Sequence, residues 1–184
     1  MSPDSFLNNN RVWTKEAQYI KIYLSVLILA LGAVAQSTVA PHFAIYGLKA
    51  EFVLALVVSW SILRGSEEGV VWAILGGLFL DLFSAAPFGA SATAMALTAL
   101  LVSWTGPSLS RANTLLPLAL APVATAVFNA SSLMLLEAFG WNADWSFIAL
   151  HVIAPLAALD FLLMVPVYLA LSAVNRRLQP AINW

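Results

Sequence analysis

Residues 64 to 89, RGSEEGVVWAILGGLFLDLFSAAPFG, constrain the fold more than any other stretch. A charged turn with Arg64, Glu67 and Glu68 leads into an apolar run, Gly69 to Leu82, and Pro87 to Gly89 closes the segment. One ionisable residue, Asp81, stands near the far end of that run. Similar apolar runs, separated by short polar turns, continue on both sides. In hydrocarbon a backbone must bond to itself, so each run is predicted to be a helix. A carboxylate near the end of such a helix needs a partner, a proton or nearby headgroups.

Lipid is the solvent this chain calls for. Of its 184 residues 61% are hydrophobic and 9% charged, too few polar side chains to cover so apolar a core in water. The expected fold class is an all-α polytopic membrane protein with six transmembrane helices in one bundle. Residues 1–18 form a polar N-terminal tail, 19–175 the helical domain and 176–184 a short C-terminal tail. The net charge of −1 argues against a nucleic-acid partner. The absence of cysteine excludes disulfides and thiolate metal sites. Ala33, Val34 and Ala35 resemble a small-residue cleavage site, but a long polar leader precedes them and the apolar run resumes at Val39. An uncleaved first span is expected.

The six expected spans cover roughly residues 19–40, 45–63, 69–82, 90–104, 115–137 and 147–174. Gln36 and Ser37 are polar residues in the last turns of the first, suited to helix–helix hydrogen bonds. Lys49 and Glu51 open the second, where their charges can snorkel. Ala55 and Ser59 lie on one face of it and permit close approach of a neighbour. The third is short, since fourteen residues at about 1.5 Å each reach only about 21 Å. Its Gly69, Ala73 and Gly77 form a small-residue stripe that leads to Asp81, and Gly76 adjoins it. Gly106, Pro107 and Ser108 are expected to break the fourth span, Pro117 and Pro122 to kink the fifth, and Pro155 and Pro166 to punctuate the sixth.

With six spans, Arg11, Lys15, Lys21, Arg64, Arg111, Arg176 and Arg177 fall on one side, and only Lys49 falls on the other. Basic residues mark the cytoplasmic side, so both termini are expected there.

No recognisable catalytic motif is present: no HExxH, GxSxG, phosphate-binding loop or dinucleotide fingerprint. His42 and His151, with Glu51 or Asp144, could in principle hold a metal, but ordinary interfacial histidines are the plainer reading. Asp81 has three readings. It can cap the loop from Ser84 to Gly89, contact another helix, or act as a ligand or proton group in a transport path. Asp160 sits near the middle of the sixth span and needs a polar partner or a proton, with Gln36, Asn129 and Ser131 as candidates. Glu137 and Asp144 read as solvated turn residues.

These residues resemble the MreD family of bacterial rod shape-determining membrane proteins. The likeness is carried by Gln36-Ser37 after the first run and Glu51 opening the second. It continues through Gly65, Glu67, Glu68 and Gly69, then Gly76-Gly77-Leu78, Asp81-Leu82 and Pro87-Phe88-Gly89. Pro166-Val167-Tyr168 followed by Arg176-Arg177 looks like the family's C-terminal signature. Two positions depart from the pattern: Ala50-Glu51 stands where Pro-Asp is usual, and Ser103-Trp104 where Gly-Tyr is frequent. The resemblance implies a fold similar to the substrate-binding subunits of energy-coupling-factor transporters. It implies a non-enzymatic scaffold without cofactor or small-molecule substrate, multi-pass in the bacterial inner membrane and surrounded by its lipid. Its partners would be an MreC-like single-span protein and a RodA-like glycan polymerase with its penicillin-binding protein. The candidate partner-binding or structural residues are Gln36, Glu51, Gly76, Gly77, Asp81, Pro87, Gly89 and Asp160. The alternative is a small-molecule-binding subunit of a membrane transporter, which a polar, ligand-sized cavity would favour.

Overall fold

The computed structural model describes residues 23–38, 50–84, 86–110, 116–140 and 145–178. Among them the chain is helical apart from short connections. The helices are α1 (Tyr23–Thr38), α2 (Phe52–Arg64), α3 (Ser66–Leu82), α4 (Ala90–Ser110), α5 (Leu116–Ala138), α6 (Trp145–Ile148) and α7 (Ala154–Leu178). A π-helical stretch, Ala149–Ile153, joins α6 to α7. Within it the Ala154 N–H reaches back five residues to the Ala149 carbonyl. Pro155 follows at once, and its missing N–H and ring clash are the kind of defect that such a bulge absorbs.

The expectation of six transmembrane helices does not stand. Among the described residues two stretches are long and apolar enough to cross a membrane, Ala119–Ala138 and Trp145–Arg176. Only 22% and 17% of their most apolar windows are buried, unlike core helices of a water-soluble fold. Tyr23–Thr38, Phe52–Arg64 and Ala90–Trp104 are apolar but shorter. The physical reason is length: the 13 residues of α2 rise about 20 Å, against a hydrocarbon core of about 30 Å. The fourth predicted helix also differs, because α4 runs on through Gly106 and Pro107 to Ser110. A proline near a helix end forfeits one N–H bond, which the last turn survives. Pro122 and Pro166 likewise lie inside α5 and α7 without ending them.

The centre of the bundle is α2 rather than the 64–89 segment. Nine of its thirteen residues are buried, which leaves it no solvent or lipid face of any width. It packs against α3, α4, α5 and α7. The core joins Leu29 of α1, Val57 and Trp60 of α2, Trp72 of α3, Met95 of α4, Phe128 of α5 and Met164 of α7. Ser59 is fully buried with its hydroxyl 3.5 Å from the Met164 sulfur, so the Ala55–Ser59 face receives α7.

Small residues set the spacing around α3. A Cβ on Gly69 would stand 2.8 Å from the Ser61 Cβ, and one on Gly76 would stand 2.8 Å from Val53 Cγ1. One on Gly77 would stand 2.6 Å from the Ala92 backbone nitrogen. Helix α3 therefore turns Gly69 and Gly76 to α2 and Gly77 to the start of α4. Gly65 and Gly89 have φ near +90°, a region glycine enters without steric penalty, and they form the sharp corners before α3 and before α4.

Candidate functional site

A helix N-terminus leaves backbone N–H groups without acceptors. Two such termini in this bundle receive acceptors from neighbouring helices, and Asp81, Asp160 and Gln36, singled out above, provide them. The first is the start of α4. Asp81, in the last turn of α3, is 4% exposed. Its carboxylate accepts from the N–H groups of Gly89 at 2.8 Å, Ser91 at 3.0 Å and Ala92 at 3.3 Å. A negative group at this position also complements the helix dipole of α4. Gly77, one turn earlier, is what lets the two backbones come close enough for these bonds. The Pro87 carbonyl accepts from the Ala90 N–H at 3.1 Å, and Phe88 beside it is 70% exposed. The loop tip is thus held from beneath and presents an apolar side chain outward.

The second is the start of α2. The Glu51 N–H donates to Asp160 Oδ1 at 2.9 Å, and the Val53 N–H donates to Gln36 Oε1 at 2.9 Å. Asp160 Oδ2 accepts from the Thr125 hydroxyl at 2.9 Å. Asn129 Nδ2 reaches Glu51 Oε1 at 3.3 Å and also the Thr125 carbonyl at 2.9 Å. Helices α1, α2, α5 and α7 meet at this node. Thr125 and Asn129 lie midway along the Ala119–Ala138 stretch, and Asp160 lies midway along Trp145–Arg176. The short α2 therefore begins against the middles of the two longest apolar helices, and side chains of α1 and α7 supply acceptors to its N–H groups.

Several expectations change here. Glu51 does not snorkel: it is 8% exposed and bonded to Asn129, with its Oε2 buried and without a hydrogen-bond partner among the described residues. Of the candidate partners for Asp160, Gln36 caps α2 instead, and the Ser131 hydroxyl returns to the Val127 carbonyl of its own helix. Asn129 meets Asp160 indirectly, through Glu51 and Thr125. The direct side-chain partner is Thr125, which sequence reasoning missed. Its signal was the Thr125–Asn129 spacing, two polar groups on one face of an apolar helix. Ser37 bonds the Val34 carbonyl of its own helix. Glu137 accepts from the Trp145 indole N–H at 2.6 Å and so ties α5 to α6 across the turn. His151 is exposed, stacks on Phe147 and lies 3.2 Å from that residue's carbonyl. Lys49, His42 and Asp144 lie outside the described residues.

Chemically, both clusters are acceptor sets already committed to helix ends. The cavity beside Asp160 and Thr125 measures about 10 Å³ and is otherwise lined by apolar groups such as Leu54, Ala124 and Met164. Such a space holds about one water. On the outer face of α4, by contrast, Leu97, Leu100, Leu101 and Trp104 border an open, mostly apolar groove of about 530 Å³.

A family model described as rod shape-determining protein MreD matches residues 18–177. No curated protein and no solved structure matches the chain.

Proposed function

We propose, from the premise that this chain belongs to the MreD family of rod shape-determining proteins, that it is a membrane scaffold of the cell-elongation complex. The match across residues 18–177 is the observation that carries this reading. The protein is not an enzyme. It binds an MreC-like single-span protein and supports a RodA-like glycan polymerase with its penicillin-binding protein. It resides in the bacterial inner membrane. The water-sized space at Asp160 and the apolar groove on α4 support a scaffold over a small-molecule carrier.

Two finer points belong to the same proposal. Both termini face the cytoplasm. Arg64, the start of α1 and the end of α7 border one cavity, with Arg176 just beyond, so the described basic residues gather at one end of the bundle. At the other end the loop from Ser84 to Gly89, with Pro87 and Gly89 as its corner and Asp81 as its anchor, forms part of the surface that partners meet. Gln36, Glu51, Gly76, Gly77 and Asp160 act behind it by holding the helices that carry it.

The test is co-purification at matched membrane levels. Asp81→Asn keeps one acceptor oxygen and loses charge-assisted strength. Asp81→Leu loses every bond to the start of α4. The Leu variant is expected to recover less of the MreC-like and polymerase partners than the Asn variant. Full recovery by a folded Leu variant would remove the loop from the partner surface.

A further inference from the structure

At the basic end of the bundle α1, α2, α3 and α7 enclose a cavity of about 30 Å³. Its wall includes Ile28, Trp60, Arg64, Glu68, Trp72 and Val174. Such a space takes about two water-sized groups. The two indoles stack with centroids 4.4 Å apart and planes 10° from parallel, and both are buried. The Arg64 guanidinium carbon lies 5.5 Å from the centre of the Trp60 ring, a cation–π contact that fixes its height over the pair. The Trp60 N–H donates to Glu68 Oε2 at 3.1 Å.

Arg64 is the unsettled member of this group. Its Nε lies 3.8 Å from the same Glu68 oxygen, too far for a hydrogen bond. That nitrogen is buried and has no acceptor among the described residues. Glu68 is itself half exposed and already holds the Trp60 indole, so it is a loose partner for the guanidinium. Arg176 is exposed at the same end, and Arg177 follows it in the chain. A loosely paired arginine therefore stands beside two tryptophans, with the apolar α1 side chains Leu24 and Ile28 in the same wall.

A buried arginine N–H without an acceptor, in a cavity between helices at the end of an apolar bundle, fits an anion whose remainder is greasy and which can compete with Glu68 for the guanidinium. Basic pockets between membrane helices take acidic headgroups, and tryptophans favour the headgroup level. We propose that this cavity binds the phosphate of an anionic glycerophospholipid, with Arg64 donating to a non-bridging oxygen. A phosphodiester offers two such oxygens, in keeping with the size of the cavity, and the acyl chains run outward past Leu24 and Ile28. The site lies apart from both capped helix ends and does not depend on the scaffold role.

The experiment titrates the full chain in detergent with phosphatidylglycerol or phosphatidylcholine and counts retained lipid by native mass spectrometry. Phosphatidylglycerol is expected to bind more tightly than phosphatidylcholine. Arg64→Gln should weaken it roughly fivefold, the share of one basic side chain at an anionic surface. Glu68→Gln should strengthen it, because the competing charge is removed while an acceptor for Trp60 stays. Equal affinity for the two lipids, or the same phosphatidylglycerol affinity in all three proteins, would overturn the proposal. So would displacement of the lipid by millimolar inorganic phosphate, which would make this a site for the free anion. Should Arg64→Gln fail to fold, judged by size exclusion, Glu68→Gln decides alone, and no gain in affinity refutes the site.

Discussion

Asp160 illustrates how one side chain can join two helices to its own without reacting with anything. It takes the Glu51 N–H on one oxygen and the Thr125 hydroxyl on the other, and both donors are buried. Replacing it by alanine strands both, at about 1 to 3 kcal/mol for each donor left unpaired. We expect Asp160→Ala to lower the thermal unfolding midpoint of the purified protein clearly, and Asp160→Asn to lower it less, because the amide oxygen still accepts one bond. Equal midpoints for the two variants would mean that water replaces the carboxylate and that the node is wet. The need of Asp160 for a polar partner was legible in the sequence, because a carboxylate amid apolar residues cannot stand alone. The identity of the partner was not. Thr125, Asn129 and Ser131 are all polar and close together on α5, and which of them faces Asp160 is set by how that helix packs against α2 and α7. The fate of Glu51 was hidden for a related reason. A charge in the first turn of an apolar helix reads as snorkelling unless the helix is known to begin deep inside the bundle.

Among the elements, α3 and α4 show what a glycine stripe does at a helix–helix crossing. Gly77 faces the Ser91–Ala92 backbone with no room for a Cβ. Leucine there must push α4 away, at a cost of about 1 to 3 kcal/mol or more. It must also pull the Gly89, Ser91 and Ala92 N–H groups off Asp81. We therefore expect Gly77→Leu to destabilise the protein and to speed hydrogen exchange at those three amides. Exchange that stayed slow would show that the cap survives without close approach. Helix locations were readable from the alternation of apolar runs and turns, and the tight face of α3 from its small residues. The end of α4 was misjudged because Gly106 and Pro107 are strong breakers only where nothing else holds the last turn. The central place of α2 was not legible at all. Its sequence, FVLALVVSWSILR, is apolar all round, and burial on every side looks the same as exposure to lipid on every side.

For the molecule as a whole, the apolar composition announced lipid, yet helix lengths set the architecture. Short helices fit only when longer ones carry the bundle and lend side chains to their ends, and no periodicity in the sequence reports which helices do so. The capped start of α2 has a consequence for biogenesis. The donor at Glu51 and the acceptor at Asp160 are 109 residues apart, so a ribosome completes α2 long before it makes the side chain that closes its end. Until α7 enters the bilayer, the nascent protein holds a helix terminus whose Glu51 N–H lacks its acceptor. Such an intermediate is a natural client for membrane quality control. We expect a chain stopped after Gly140 to be degraded rapidly in pulse-chase experiments, and co-expression of residues 145–184 as a separate piece to prolong its lifetime. The same rescue attempted with Asp160→Ala should fail. An equally long-lived truncation would show that α1 to α5 mature without the last helix.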